Sequence, residues 1–234
     1  MTSVRDSRVS EPAPRSLPAP NLVGGMSVEE AIAKRRSVRE YASEPITLAE
    51  LSQLLWAAQG VTDARSRHRA SPSAGALYPL ELYAVVRERG VVGLAAGVYH
   101  YSPEDERMSM VKDGDRSSEL RAAALDQEMV GLAAISIVTI AVVPRTGSKY
   151  GERALQYVYQ ESGHAAENVF LQAVSLGLGA VVVGAFDEEK VRSIIGAGPE
   201  ETPVYVQPVG VPLRQRAGPR PRAKAPGRGR GRRR

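Results

Sequence analysis

Three arginines and a serine lie within five residues of one another. Arg35, Arg36, Ser37 and Arg39 form the run Arg-Arg-Ser-Val-Arg, directly after a helix predicted to begin at Ser27. Guanidinium groups bind phosphate through charge-assisted hydrogen bonds, so this run could form a phosphate site. A solvated helix end has the same composition, and composition alone favours that second interpretation.

A segment of small residues at 70–79 contains Ser73, Ala74 and Gly75 and precedes a predicted strand. Small side chains let a ligand approach the backbone closely, and the serine hydroxyl can donate a hydrogen bond. An ordinary loop before a strand is the alternative interpretation.

Gly177, Gly179 and Gly184 form the second glycine-containing segment. A dinucleotide-binding fold requires a strand, then a glycine turn, then a helix, whereas these glycines follow a helix and lead into a strand. We therefore exclude that fold and expect Gly177 and Gly179 to end the helix. Gly184 could mark a point where a flat ligand touches the backbone.

Lys149 and Tyr150 are adjacent at the predicted start of a long helix. A lysine and a tyrosine held together can transfer protons if the lysine is desolvated or the tyrosine is flanked by cations. An exposed pair of this kind usually has no function. Glu161 and His164 follow on that helix at the spacing of a di-iron site, but such sites need two copies. A buried polar stripe or a subunit contact is the preferred interpretation, and no metal is expected.

The charge of the chain is divided unevenly along its length. The 234 residues carry a net charge of +5, but residues 214–234 hold ten Arg or Lys and no acid. The body at 1–213 therefore carries 21 bases against 26 acids. This distribution disfavours a basic nucleic-acid-binding domain. A remoter alternative is a non-catalytic protein whose tail binds nucleic acid or another polyanion. With no cysteine in the chain, any redox chemistry requires a bound cofactor.

The helices and strands that carry these residues indicate one globular domain at 26–213. We expect a disordered arm at 1–25 before it and a disordered basic tail at 214–234 after it. No membrane span or signal peptide is expected, so we predict a cytoplasmic protein. Helices interspersed with hairpin-like strands, without regular βαβ alternation, indicate an α+β fold. The predicted helices lie at about 27–34, 48–59, 117–125, 151–178 and 187–195, and the strands at about 80–87, 97–101, 108–112, 134–143, 180–183 and 203–211.

Taken in order, these segments resemble the nitroreductase-like FMN flavoprotein superfamily, and most closely its SagB-type branch, the thiazole- and oxazole-forming azoline dehydrogenases. Ala76 and Tyr78-Pro79 stand where many ordinary nitroreductases have Asn and Gln-Pro, which favours the SagB-type branch. The resemblance covers about residues 27–214 and rests on motifs at 35–41, 72–83, 97–101, 149–153, 161–168, 177–179 and 184–186.

This resemblance implies a central antiparallel or mixed sheet flanked by helices, and FMN bound at the interface of a homodimer. It also implies hydride transfer from substrate to flavin N5, with an azoline peptide or small molecule as substrate. An NAD(P)H-dependent nitro or quinone reductase is the alternative. The implied phosphate ligands are Arg35 and Ser37, with Arg36 beside them, Arg39 near the flavin pyrimidine and Arg214 as a further cation. Ser73, Ala74 and Gly75 would contact the flavin from the partner chain, the backbone at Val183 and Gly184 would face N5, and Lys149 and Tyr150 would remove the substrate proton.

Overall fold

A seven-stranded sheet forms the centre of the protein. A computed structural model of the chain describes residues 13–213; Arg214, the rest of the basic tail and residues 1–12 lie outside the described residues. Its strands are β1 (Arg15–Ser16), β4 (Leu80–Val86), β5 (Gly97–Ser102), β6 (Arg107–Asp113), β7 (Ile135–Val142), β8 (Gly179–Ala180) and β9 (Glu201–Gly210), while β2 (Val61–Asp63) and β3 (His68–Arg69) form a separate ribbon. The strand order in the sheet is β1-β6-β5-β4-β7-β9-β8, and all neighbouring strands are antiparallel.

Helices cover both faces of this sheet, which confirms the predicted α+β class. The helices are α1 (Val28–Lys34), α2 (Leu48–Gln59), α3 (Ser117–Ala123), α4 (Glu128–Leu132), α5 (Val143–Tyr150), α6 (Ala154–Ser175) and α7 (Glu188–Ile195). Strand β4 shows how the two cores form: Leu80 and Leu82 belong to the core with α2 and α6, whereas Tyr83 and Val85 belong to the core with α3, α4 and α7. Such alternation follows from the two-residue period of a strand. Within residues 13–213, no helix has both the length and the apolar character needed to cross a membrane.

Helix α2 has the bounds that its sequence predicts. Thr47 Oγ1 accepts a hydrogen bond from the Glu50 N–H at 3.2 Å, and the Glu50 carboxylate accepts one from the Thr47 N–H at 2.6 Å. This reciprocal capping box satisfies two backbone donors at the start of the helix. Leu51 and Leu54 on its apolar face are fully buried, so α2 provides a rigid wall beside α6.

The predicted helix at 151–178 is wrong at its start. Helix α6 begins at Ala154, and a 3-10 turn at Gly151–Arg153 separates it from α5. Gly151 has φ 54°, a left-handed conformation that suits glycine and breaks the helix. Lys149 and Tyr150 therefore lie at the end of α5 and not at the start of the long helix. At the other end the prediction is confirmed for Gly177, whose φ of 74° terminates α6.

The N-terminal segment is ordered over part of the predicted arm. Arg15 and Ser16 pair with Arg107 and Met108 of β6, and Leu17 is buried. The expectation of a disordered arm is therefore wrong for these residues. The pairing uses backbone groups at the edge of the sheet, which the composition of residues 1–25 does not reveal.

Candidate functional site

The arginine-rich segment lies beside strand β8. The Val38 N–H donates to the Ala180 carbonyl at 2.8 Å, and Ser37 forms a parallel bridge with Ala180. Gly179 makes this approach possible, because a Cβ added there would lie only 2.7 Å from Val38 Cβ and Cγ1. Residues 35–39 are thus fixed to the edge of the sheet that leads to Val183 and Gly184.

Val183 and Gly184 lie where this edge opens to solvent. Val183 exchanges two backbone hydrogen bonds with Val206, at 2.8 and 3.0 Å. Gly184 is exposed, and an added Cβ would have only Tyr205 nearby, at 3.9 Å. The backbone at 184 is therefore accessible, and its contact with a flat ligand stays a prediction.

The three guanidinium groups have different surroundings. Arg35 lies 5.3 Å from the ring centre of Phe170 and 3.8 Å from the Glu167 carboxylate. Arg36 folds back on α1, where it donates to the carbonyls of Ala33 at 3.0 Å and Arg35 at 2.6 Å. Arg39 is exposed. Arg36 thus caps the helix end, while Arg35 and Arg39 are cations beside the exposed Ser37.

Tyr41 holds this segment in place, and the sequence analysis did not identify it. Its hydroxyl lies 2.8 Å from the Val38 carbonyl and 3.1 Å from that of Pro208. Burial raises the pKa of Tyr41 well above its usual value, more than the charge of Arg39 lowers it. The phenol is therefore a neutral donor between the carbonyls of residues 38 and 208, and the motif at 35–41 contained Tyr41 without indicating this role.

The small-residue loop has a strained backbone. Gly75, Ala76 and Tyr78 have φ of 64°, 54° and 45°, which is uncommon for residues with a side chain. Each such residue costs about 1–3 kcal/mol and persists only where its surroundings hold it. Here Ser73 Oγ accepts from the Tyr78 N–H at 2.9 Å, and the guanidinium of Arg69 lies 4.6 Å from the Tyr78 ring centre.

Lys149 and Tyr150 converge on this loop. A Cβ added at Gly75 would lie 3.0 Å from both Lys149 Nζ and Tyr150 Oη. The Tyr150 ring also packs edge-on against Tyr157, with ring centres 5.0 Å apart. Gly75, which has no side chain, thus faces two groups that can exchange protons, so a ligand beside Gly75 would lie close to both.

Beneath the loop, two polar side chains of α6 are hydrogen-bonded to it. Glu161, only 4% exposed, accepts from the Ala74 N–H at 2.8 Å. Asn168 donates to the Ala57 carbonyl at 3.0 Å and to Ser71 Oγ at 3.1 Å. Burial raises the pKa of Glu161, more than its hydrogen bonds from Ala74 and Ser73 lower it. In the predicted polar stripe Glu161 is therefore buried and hydrogen-bonded and Asn168 is half-buried and hydrogen-bonded, whereas His164 is exposed.

The candidate residues form two sets along α6. The first set contains the arginine-rich segment and the open backbone at 184, and reaches α6 at Phe170. The second contains the loop with Lys149 and Tyr150, and reaches α6 at Glu161. Nine residues separate these two positions, a rise of about 13 Å. In the first set, cations lie beside an open glycine, which suits a planar ligand that carries a phosphate. The second set suits proton transfer at the ring of such a ligand.

Several known proteins are similar to this chain in sequence or in fold. The family model described as Nitroreductase family matches residues 32–211. A Methanocaldococcus jannaschii protein that carries the provisional name of nitroreductase is 47% identical over 185 residues, 79% of this chain and 91% of that protein. The Microcin B17-processing protein McbC of Escherichia coli is 28% identical over 136 residues, 57% of this chain and 50% of McbC. A crystal structure of a provisionally named nitroreductase from Ralstonia eutropha has a TM-score of 0.75 and 27% identity, over 86% of this chain and 90% of that one.

Proposed function

The chain belongs to the nitroreductase family, and from that premise we propose that it is an FMN-dependent oxidoreductase of SagB type. The observation that carries this proposal is the convergence of Lys149 and Tyr150 on Gly75, where Nζ and Oη both lie 3.0 Å from the position that a Cβ would take. A simple electron carrier would not need a lysine and a tyrosine at that point. An enzyme that removes a proton and a hydride from one substrate does need a base there.

The residues of the first set fit FMN. In this proposal Arg35 and Ser37 hold the phosphate, and Arg39 lies near the pyrimidine edge, where reduction increases negative charge. The exposed backbone at Gly184, next to the buried Val183, faces the reactive side of the ring. When bound, FMN supplies hydride transfer at its N5 atom. Arg36 contributes less than the resemblance implies, since its donors already serve the end of α1.

We propose that the active form is a homodimer in which Ser73, Ala74 and Gly75 contact the flavin of the partner subunit. Two exposed apolar positions on each of the neighbouring helices α1 and α6 support this arrangement. Val28 and Ile32 of α1 are more than half exposed, and Leu155 and Tyr159 of α6 are 43% and 52% exposed. A contact between two copies of α6 would bury these side chains and bring the two sets of residues together from different chains.

In the proposed reaction, Lys149 or Tyr150 removes a proton from the ring carbon of an azoline while the hydride leaves toward the flavin. The loop keeps the ring close to both groups, and the buried Glu161 beneath it fixes the Ala74 N–H. The similarity to a Microcin B17-processing protein supports a peptide substrate.

The first test is spectroscopic. Purified protein, or protein titrated with FMN, should show a bound flavin spectrum, and a preparation that binds no flavin would overturn the proposal.

The second test is anaerobic reduction of the flavin by an azoline peptide. Lys149→Ala and Tyr150→Phe should suppress reduction by about 100-fold or more while FMN stays bound. Lys190→Ala on α7 and Tyr99→Phe on β5 are matched controls, because both lie away from the loop. Undiminished reduction in the first two variants would remove their catalytic role.

An NAD(P)H-dependent nitro or quinone reductase is the second candidate. The 47% identity to a protein with the provisional name of nitroreductase favours it. The same anaerobic experiment distinguishes the two, because NADH or NADPH would reduce the flavin rapidly in a reductase, whereas the azoline peptide would do so in a dehydrogenase.

A further inference from the structure

Arg145, in the first turn of α5, contacts the strained loop directly. Its Nη1 donates to the Tyr78 carbonyl at 3.1 Å, and Tyr78 is the last residue of the loop with a left-handed φ. Lys149 lies four residues further along α5, one helical turn away on the same face. One side chain therefore connects the loop to the helix that carries Lys149 and Tyr150.

The other end of the Arg145 guanidinium is anchored to the sheet. Its Nη2 lies 2.6 Å from Glu81 Oε1, and the second carboxylate oxygen of Glu81 lies 2.8 Å from His100 Nε2. Glu81 belongs to β4 and pairs with Ile140 of β7, so its backbone is fixed within the sheet. Burial would raise the pKa of Glu81, but the hydrogen bond from His100 and the charge of Arg145 outweigh it and hold that pKa below its usual value. The carboxylate is therefore a charged acceptor for Arg145.

Helix α5 needs such an anchor. It has eight residues, of which only Thr146 is buried, and Gly151 separates it from α6. A helix this short has little stability of its own in water and depends on tertiary contacts. The planar fork of an arginine can bind a carboxylate and a carbonyl at once, which the single ammonium group of a lysine does less well.

We propose that Arg145 is a positioning residue, which with Glu81 as its anchor holds Lys149 and Tyr150 over Gly75. Its effect on turnover rests on the proposed function, whereas the contact itself is independent of any reaction. Arg145 touches neither the reacting atoms nor the first set of residues, so its loss should lower kcat more than it weakens FMN binding.

Hydrogen exchange of the full chain with FMN tests the contact without an assay of activity. Arg145→Ala should accelerate amide exchange about tenfold in α5 and at residues 74–78, because a charge-assisted hydrogen bond is lost at each end. Exchange in β4 and β7 should not change. Arg116→Ala is the matched control: Arg116 pairs with Glu119 at 2.8 Å on α3 and is 37% exposed, against 41% for Arg145. Equal exchange in Arg145→Ala and the wild type would overturn the proposal.

Kinetics then separate positioning from general destabilisation. Arg145→Ala should lower kcat for the azoline peptide about 10- to 100-fold, with a smaller change in KM and FMN affinity, and Arg145→Lys should restore part of the lost kcat. Glu81→Gln combined with Arg145→Ala should cost little more than Arg145→Ala alone, because both act through one contact. A loss of FMN affinity as large as the loss of kcat, or additive effects of the two substitutions, would contradict the proposal. If the wild type oxidises no azoline peptide, that result contradicts the proposed function, and the exchange experiment still decides whether Arg145 holds α5.

Discussion

Substituting Gly179 by alanine should displace the arginine-rich segment from the sheet. The new Cβ would lie 2.7 Å from Val38 Cβ and Cγ1 and 2.8 Å from Cγ2, whereas ordinary carbon contacts begin at 3.4 Å. Residues 37 and 38 would have to move by about 0.7 Å, the difference between 3.4 and 2.7 Å. Such a shift would stretch the 2.8 Å hydrogen bond between the Val38 N–H and the Ala180 carbonyl beyond its normal range.

Two magnitudes follow from this displacement. Overpacking of this kind costs about 1–3 kcal/mol, which for a domain of this size lowers Tm by roughly 2–12 °C. If Arg35 and Ser37 bind the FMN phosphate, loss of one charge-assisted hydrogen bond costs about 1.5–3 kcal/mol more, or a 10- to 100-fold weaker FMN affinity. Thermal unfolding monitored by circular dichroism measures the first quantity, and quenching of FMN fluorescence measures the second.

Gly25→Ala is the matched control, because no atom lies within 4 Å of a Cβ added there. Adding Val38→Ala to the Gly179→Ala variant removes two of the three close carbons and should restore part of both losses. A Gly179→Ala protein with wild-type Tm and FMN affinity would refute the steric argument. A lower Tm with unchanged FMN affinity would refute the assignment of the phosphate to this segment.

Two further predictions concern the polar side chains beneath the loop. Because burial raises the pKa of Glu161 above its ordinary value of 4.5, the native state binds this proton more tightly than the unfolded chain, and the wild type should lose stability relative to Glu161→Gln as the pH rises above 4.5. Urea unfolding between pH 4 and pH 8 measures this difference, and a gap independent of pH would contradict it. Asn168→Ala removes donors to the Ala57 carbonyl and to Ser71 Oγ and should lower the free energy of unfolding by about 1–3 kcal/mol, and unchanged urea unfolding would contradict this estimate.

Elements with local signals could be predicted from the sequence. The capping box at Thr47 and Glu50 and the glycine at position 60 fix both ends of α2 through groups within a few residues of each other. The hairpin of β5 and β6 likewise follows from two short apolar runs around a polar turn. In both cases the physical cause lies inside the window that the sequence pattern covers.

Contacts between distant segments could not be predicted in this way. The pairing of Arg15 with Met108 joins residues far apart in the chain, and the local sequence around each residue does not indicate its partner. The approach of Val38 to Gly179 is similar, because the glycine is equally consistent with a helix end. The resemblance to a flavoprotein family placed Arg35, Gly75 and Lys149 in one site, but the composition of each segment left a structural interpretation open.

The sequence alone does not show where the side chains of Lys149 and Tyr150 point, because it does not show the division between α5 and α6. In one continuous helix these residues would extend the axis of α6, and their side chains would follow its surface. The left-handed φ of Gly151 instead changes the direction of the chain, so that both side chains point back to Gly75. A bulky residue at 151 would raise the cost of that turn, since a left-handed conformation is strained for residues with a Cβ. The glycine therefore does more than interrupt a helix: it turns two neighbouring polar residues toward a loop that lies more than seventy positions earlier in the sequence.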